Sequence, residues 1–356
     1  MNPKTKRNKT FLTILEAILI GILAFLFCYQ DFFYALDSLY RDNVYQRSRG
    51  VNQSFKIIAI DEKTLQKYGP FGTWDRSVYA DVLDTLGDYP TVVGFDIMFM
   101  SEMTPEGDEA FLKEMRKRDN VVLASHIDFN TVIVTDENGK RKADPFHIRS
   151  VELPFTGEEI AYGYPNMSTD SDGVVRRVHP IITNKETGEE YTSFSYEIYI
   201  KYCEKKGIIP VTPDTDASGT QWIYYAGKPY DYEAISMADL LDGKVDPRVF
   251  SDCVVLVGAY ATGLQDQFSV PNSSNQMFGV EINANILQSY MDEAFPLPMN
   301  RLFISAVLAL IVMFVFMLFA HMKLRWGTLF FILLEVMVVV AGIQFFTKMN
   351  IILPGV

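Results

Sequence analysis

Apolar residues are distributed along this chain in two distinct ways. At the ends they run without interruption: Phe11–Tyr29 (FLTILEAILIGILAFLFCY), Leu302–Ala320 and Trp326–Phe346 are runs of about 19–21 residues, close to the roughly 20 that cross a hydrocarbon core. Between them, short β-branched runs alternate with amphipathic stretches. Phe55–Ile60, Thr91–Phe95 and Val121–Ala124 read as buried strands, and Arg76–Leu86 and Thr104–Arg118 as helices, the latter opened by a Thr104 cap and Pro105 at its first position. The order strand, helix, strand, helix, strand predicts a parallel sheet covered by helices. Further on, Val174–Ile182 and Trp222–Tyr225 read as strands, and Tyr191–Lys205, Met237–Leu241 and Gly279–Met291 as helices. Cys253–Gly258 returns to the buried parallel type. Around residues 130–150 the text turns polar, with a hairpin-like turn at Asp136-Glu137-Asn138-Gly139.

The predicted fold is thus an α/β extracellular domain, residues 31–300, with a mainly parallel central sheet and an antiparallel addition, flanked by transmembrane helices at 11–29, 302–320 and 326–346. Asp31–Gly50 has helical spacing and is expected to lead out of the bilayer.

Charge refines the picture. The 356 residues carry a net charge of −12 yet have a mean hydropathy of +0.07. Lys4, Lys6, Arg7, Lys9 and Glu16 give residues 1–16 a net +3; Arg301, Lys323, Arg325, Lys348 and Glu335 give residues 301–356 another +3, leaving −18 on the middle. An acidic middle argues against nucleic-acid binding, and apolar ends against a simple cytosolic enzyme. Phe25, Leu26, Phe27 and Tyr29 around Cys28 are too bulky for a cleavage site, so the first span is expected to stay. The basic tail 1–10 and the basic link His321–Arg325 both belong in the cytoplasm, which puts residues 31–300 on the outer side. Residues 347–356 emerge outside and end in an apolar stretch that reads as the start of a further span, so the chain is expected to continue.

Two carboxylates lie inside the spans. Glu335, mid-span, is read as a protonated group facing a neighbouring helix, or alternatively as an interhelical, proton-linked element; Glu16 is close enough to the basic tail to reach inward.

In open parallel sheets ligands bind beyond the carboxyl ends of the strands. Strands ending near Asp61, Asp96 and Gly258-Ala259 define such a rim, with Arg76 close in sequence and Glu281 opening a helix after Gly279. Asp61, Arg76, Asp96 and Glu281 are therefore the candidate ligand-binding residues; the competing reading makes the aspartates helix caps neutralised by Arg76. Ser168–Gly173 imitates a calcium loop but has Ser at its first position and His179 at its last, and Asp170–Gly173 reads instead as a turn. His126, His147, His179 and His321 lack metal spacing with the cysteines, and Gly258–Gly263 lacks the lysine of a phosphate loop. No metal, cofactor or catalytic residue is expected. A Cys203–Cys253 bridge is open on an oxidising side, but Cys253 starts a buried-type strand.

The segments Ile58-Ala59-Ile60-Asp61-Glu62, Trp74-Asp75-Arg76-Ser77, Val92–Phe99, Asp172–Arg177, Val255–Ala259 and Gly279–Asn285, in this order, resemble the type-two CHASE domain, a cyclase/histidine-kinase-associated sensory extracellular module of bacteria. The resemblance covers roughly residues 31–300. It implies a membrane-bound sensor, acting as a homodimer in lipid, that answers to an extracellular small ligand or physical stimulus. Its effector would be a cytoplasmic domain in cis: an adenylate/guanylate cyclase, or a histidine or serine/threonine kinase. None is present in this sequence, and it is expected beyond residue 356. A cell-surface enzyme using the Asp61/Asp96/Arg76 rim and a membrane-anchored dimerisation protein are the readings from other classes.

Overall fold

The computed structural model describes residues 3–46, 48–99, 103–135, 139, 141–155, 158–216, 218–320 and 322–354. They form two compact units, one of residues 48–295 and one of residues 1–47 with 296–356. In chain order the helices are α1 Pro3–Tyr29, α2 Tyr34–Tyr45, α3 Glu62–Tyr68, α4 Ser77–Leu86, α5 Pro105–Arg116, α6 Phe194–Lys206, α7 Met237–Leu241, α8 Gly279–Met291, α9 Arg301–Phe319 and α10 Leu324–Met349.

The larger unit is built on six strands, β1 Phe55–Ile60, β2 Val92–Met98, β3 Val121–Ala124, β4 Ala161–Gly163, β5 Glu233–Ser236 and β6 Val254–Ala259. They pair in the order β5-β1-β6-β2-β3-β4, every pair parallel. Because side chains alternate along a strand, each strand feeds two cores. Ile58, Ile60, Val93, Phe95, Val255 and Val257 pack with α4, α5 and α7, whereas Ile57, Val92, Val254 and Leu256 pack with α6 and α8. A parallel sheet covered on both faces explains why these strands read as continuous apolar runs.

Local chemistry sets the helix starts. Thr104 caps α5 by accepting from the Gly107 amide at 3.1 Å, with Pro105 at the first position, as the Thr-Pro pair predicts. Ser193 caps α6, which ends on the left-handed Gly207 (φ 67°). Gly163 permits α6 to close on the sheet, since a Cβ there would lie 2.5 Å from the Phe194 Cα.

The antiparallel addition comprises a hairpin, His126–Thr135 with Arg141–Glu152, and smaller sheets that include Ser168–Thr169, Val175–Val178 and Gln221–Trp222. The hairpin turn read at Asp136–Gly139 lies, apart from Gly139, outside the described residues. The strand expected over 174–182 is broken into Val175–Val178 and Ile181–Thr183, because Pro180 cannot donate to a ladder. The strand expected at 222–225 shrinks to Gln221–Trp222: the Ile223 amide still donates to the Arg176 carbonyl at 2.9 Å, but further on Ala226 and Gly227 donate to Asn285 Oδ1 at 2.8 and 3.0 Å. Asp170–Gly173 is a turn, with Gly173 at φ 80° and its amide donating to the Asp170 carbonyl. Arg176, buried there, holds Asp172 by two hydrogen bonds of 2.9 Å and Asp170 at 3.1 Å.

The smaller unit contains three helices long and apolar enough to cross a membrane, over Phe11–Tyr29, Arg301–Phe319 and Arg325–Met349. α1 lies along α9, where a Cβ on Gly21 would meet Met313 Cγ at 2.4 Å, and Asp31 pairs with Arg301 at 2.6 Å. Ile351–Ile352, in the stretch read as the start of a further span, is a two-residue strand parallel to Leu297–Pro298. α2 lies against α10 rather than standing away from the spans: Tyr45 stacks on Phe346 with ring centroids 4.9 Å apart. Glu16 and Glu335 are both exposed on the surface of their helices, and Glu335 lies within electrostatic reach of Tyr40 of α2.

The carboxyl rim of the parallel sheet

Strand register sets the rim. Ala59 lies opposite Gly258, and Gly258 opposite Asp96, so the carboxyl ends of β1, β6 and β2 are level at one edge. The alternation of side chains then divides the candidate residues between the two faces.

Asp61 follows β1 and caps α3. Its Oδ1 accepts from the Thr64 amide at 2.9 Å, the Thr64 hydroxyl at 2.7 Å and the Ser236 hydroxyl at 2.9 Å, which ties the cap to β5. This is the helix-cap reading. Arg76 precedes α4 with 2% of its surface exposed; its guanidinium lies 3.2 Å from Asp108 of α5, donates to the Phe99 carbonyl at 3.1 Å, and rests over the Phe99 and Phe155 rings. It therefore joins neither Asp61 nor Asp96. Phe95 points to the Arg76 side of β2, and its neighbour Asp96 necessarily points to the other.

There Asp96 meets the first turn of α8. Asn283 Nδ2 donates to Asp96 Oδ2 at 2.9 Å, and Asn283 Oδ1 accepts from Ser195 of α6 at 2.7 Å, which fixes the orientation of the amide. Gly258 leaves room for this approach, since a Cβ there would lie 3.3 Å from the Asp96 Cβ. A second carboxylate, Asp266, comes in from the loop after β6: the Gly279 amide donates to its backbone carbonyl at 3.1 Å, and a Cβ on Gly279 would sit 2.7 Å from its carboxylate. Asp96 and Asp266 both have raised pKa values, driven first by burial and, for Asp96, by the charge of Asp266.

Glu281 occupies the other side of the same turn. Fully buried, it accepts from the Tyr230 amide at 2.7 Å and the Tyr260 hydroxyl at 3.1 Å through Oε1, and from the Phe278 amide at 3.4 Å through Oε2. Burial lifts its pKa to about 7 against these three donors. Of the four candidates, then, Asp96 and Glu281 converge on the start of α8, while Asp61 and Arg76 are held elsewhere.

Asp266, Asn283, Ser195 and Tyr260 complete the arrangement without having been singled out by sequence reasoning. Asn283 had a readable signal: α8 is buried from Gly279 to Tyr290, so Glu281, Asn283, Asn285, Gln288 and Ser289 all require internal partners. Asp266 had none, lying in a short irregular loop. Among the described residues no group of three or more His, Cys, Asp or Glu side chains could hold a metal ion. What the rim offers is a pair of neighbouring carboxyl groups disfavoured as charges, with no cationic partner among the described residues. Cys203 and Cys253 are separate buried thiols without a bridge.

The ordered rim segments, from the β1–Asp61 junction to the first turn of α8, lie within a stretch matched by the family model of the CHASE2 domain, over residues 17–321. The chain belongs to the CHASE2 domain family. No curated protein and no solved structure matches it. CHASE2 is a sensory extracellular domain found in cyclase and kinase receptors, and this chain accordingly has the part of a signalling sensor. In it the CHASE2 match extends beyond the α/β unit into two of the three apolar helices.

Proposed function

We propose that this chain is the extracytoplasmic input module of a bacterial transmembrane receptor, acting as a homodimer and regulating a class III adenylate/guanylate cyclase joined to it in cis. The observation that carries the reading is a CHASE2 match whose α/β unit is followed by two apolar helices, with Lys323 and Arg325 at the turn between them. Such a turn stays with the cytoplasm, so the helices on either side of it give the domain a route inward. The rim at the start of α8 is the proposed site where a stimulus is read, because partly buried carboxyl groups there convert a change in protonation or occupancy into a change in local packing.

The test is to express residues 1–356 within their continuing reading frame and to assay membranes for cyclisation of ATP and GTP and for autophosphorylation. Nucleotide cyclisation is expected. Autophosphorylation without cyclisation replaces the cyclase with a kinase, and a reading frame that encodes neither overturns the receptor reading.

A further inference from the structure

α2 has its polar and apolar sides reversed. Its exposed stripe is Leu36 (55% exposed), Leu39 (60%) and, just before the helix, Phe32 (66%), whereas Asp37 (4%), Ser38, Asp42 (8%) and Tyr45 are buried. A helix on a water-facing surface shows the opposite arrangement, charges outward and leucines inward. Polar groups turned into the protein and apolar groups turned out are the arrangement of a helix in lipid, where an unpaired polar group has no solvent to satisfy it.

The buried side is organised. Asp37 pairs with Arg41 one turn on, Tyr45 stacks on Phe346 and donates its hydroxyl to the Leu353 carbonyl at 3.2 Å, and α10 has a glycine where the two helices touch. A Cβ on Gly342 would lie 2.7 Å from the Tyr45 hydroxyl and 3.4 Å from that of Tyr40. The exposed side continues the apolar surface of the first span, since the Phe32 and Phe33 rings lie 5.0 and 5.9 Å from that of Phe27.

We propose that α2 lies in the membrane, its Phe32–Leu36–Leu39 stripe against acyl chains and its polar stripe docked on α10, so that the chain segment entering the sensory domain is held by the third span. The continuity with Phe27 favours lipid over a second copy as the occupant. This rests on the receptor reading only for its consequence, that displacement of α2 is delivered to α10; the placement itself is tested independently of any output.

The full chain carrying Cys28→Ala receives single Leu36→Cys, Leu39→Cys or Ile209→Cys substitutions, all at exposed positions, is labelled with bimane, and is reconstituted in phosphatidylethanolamine/phosphatidylglycerol vesicles. Labels at 36 and 39 are expected to lose most of their emission when the acyl chains are brominated and little to aqueous iodide, with the reverse at 209. In a second arm, Tyr45→Cys with Phe346→Cys is expected to form a disulfide within one chain. Iodide quenching at 36 and 39 equal to that at 209 overturns the proposal, as does protection from both quenchers with cross-linking to a second copy. A chain found to have no output enzyme would leave these results unchanged.

Discussion

Asp96 is a carboxyl group that the fold holds at a cost. Its carboxyl group sits beside Asp266 and accepts a single hydrogen bond from Asn283. With a folded-state pKa above the unfolded value, it contributes stability at pH values below its unfolded pKa, and that contribution is lost as pH rises through the folded value. Asp96→Asn keeps an acceptor for Asn283 and removes the charge. The variant should therefore match the parent at pH 4 and exceed it by about 1–2 kcal/mol at pH 8, as read from thermal melts across that range. A variant less stable than the parent at pH 8 would make Asp96 a carboxylate the fold depends on. Glu281 gives a contrasting case. Its three donors need an acceptor, so Glu281→Ala should cost about 2–4 kcal/mol, whereas Glu281→Gln should cost less and flatten the stability profile near pH 7, where the native carboxyl titrates. Strand ends and a helix start made Asp96 and Glu281 legible in the sequence. They could not show that Asp61 and Arg76 serve other elements, because the face a side chain takes depends on register. Arg76→Ala should cost about 3–5 kcal/mol by stranding the largely buried Asp108, and the Arg76→Ala, Asp108→Ala pair should recover part of that loss in equilibrium unfolding.

Among the elements, the sheet centre was readable and its margins were not. Phe55–Ile60, Val121–Ala124 and Val254–Ala259 are apolar because both faces are covered, and that burial is what the sequence pattern reports. β5 is an edge strand whose residues are partly or largely exposed, and Glu-Ala-Ile-Ser carries no strand signal that burial would have imposed. α3 is too short for a hydrophobic period to show, and its start is visible only through the Asp61 cap. The fit of α6 on the sheet depends on glycines instead of on pattern. Gly163→Ala would drive a methyl group into the Phe194 backbone, which cannot move like a side chain, and should destabilise the larger unit by about 1–3 kcal/mol. Chemical denaturation with tryptophan emission as the readout would measure this. Gly243→Ala offers a comparison, because its positive φ (68°) is the sole difficulty there and its Cβ would meet nothing within 4 Å.

For the molecule as a whole, the acidic but apolar composition separates into parts. The negative charge belongs to the CHASE2 unit, and the apolarity to three long helices together with the covered strands. The sensory role follows from family membership, while the proposed location follows from charge at the helix ends. The most direct test of an extracytoplasmic sensor is labelling of intact cells with a membrane-impermeant maleimide, using the Cys28→Ala chain bearing either Ile209→Cys or Lys323→Cys. Ile209 is 88% exposed in the CHASE2 unit, and the remaining thiols, Cys203 and Cys253, are buried. Ile209→Cys should label in intact cells and Lys323→Cys only after the membrane is opened; labelling of Lys323→Cys but not Ile209→Cys in intact cells would place the CHASE2 unit in the cytoplasm and contradict this account.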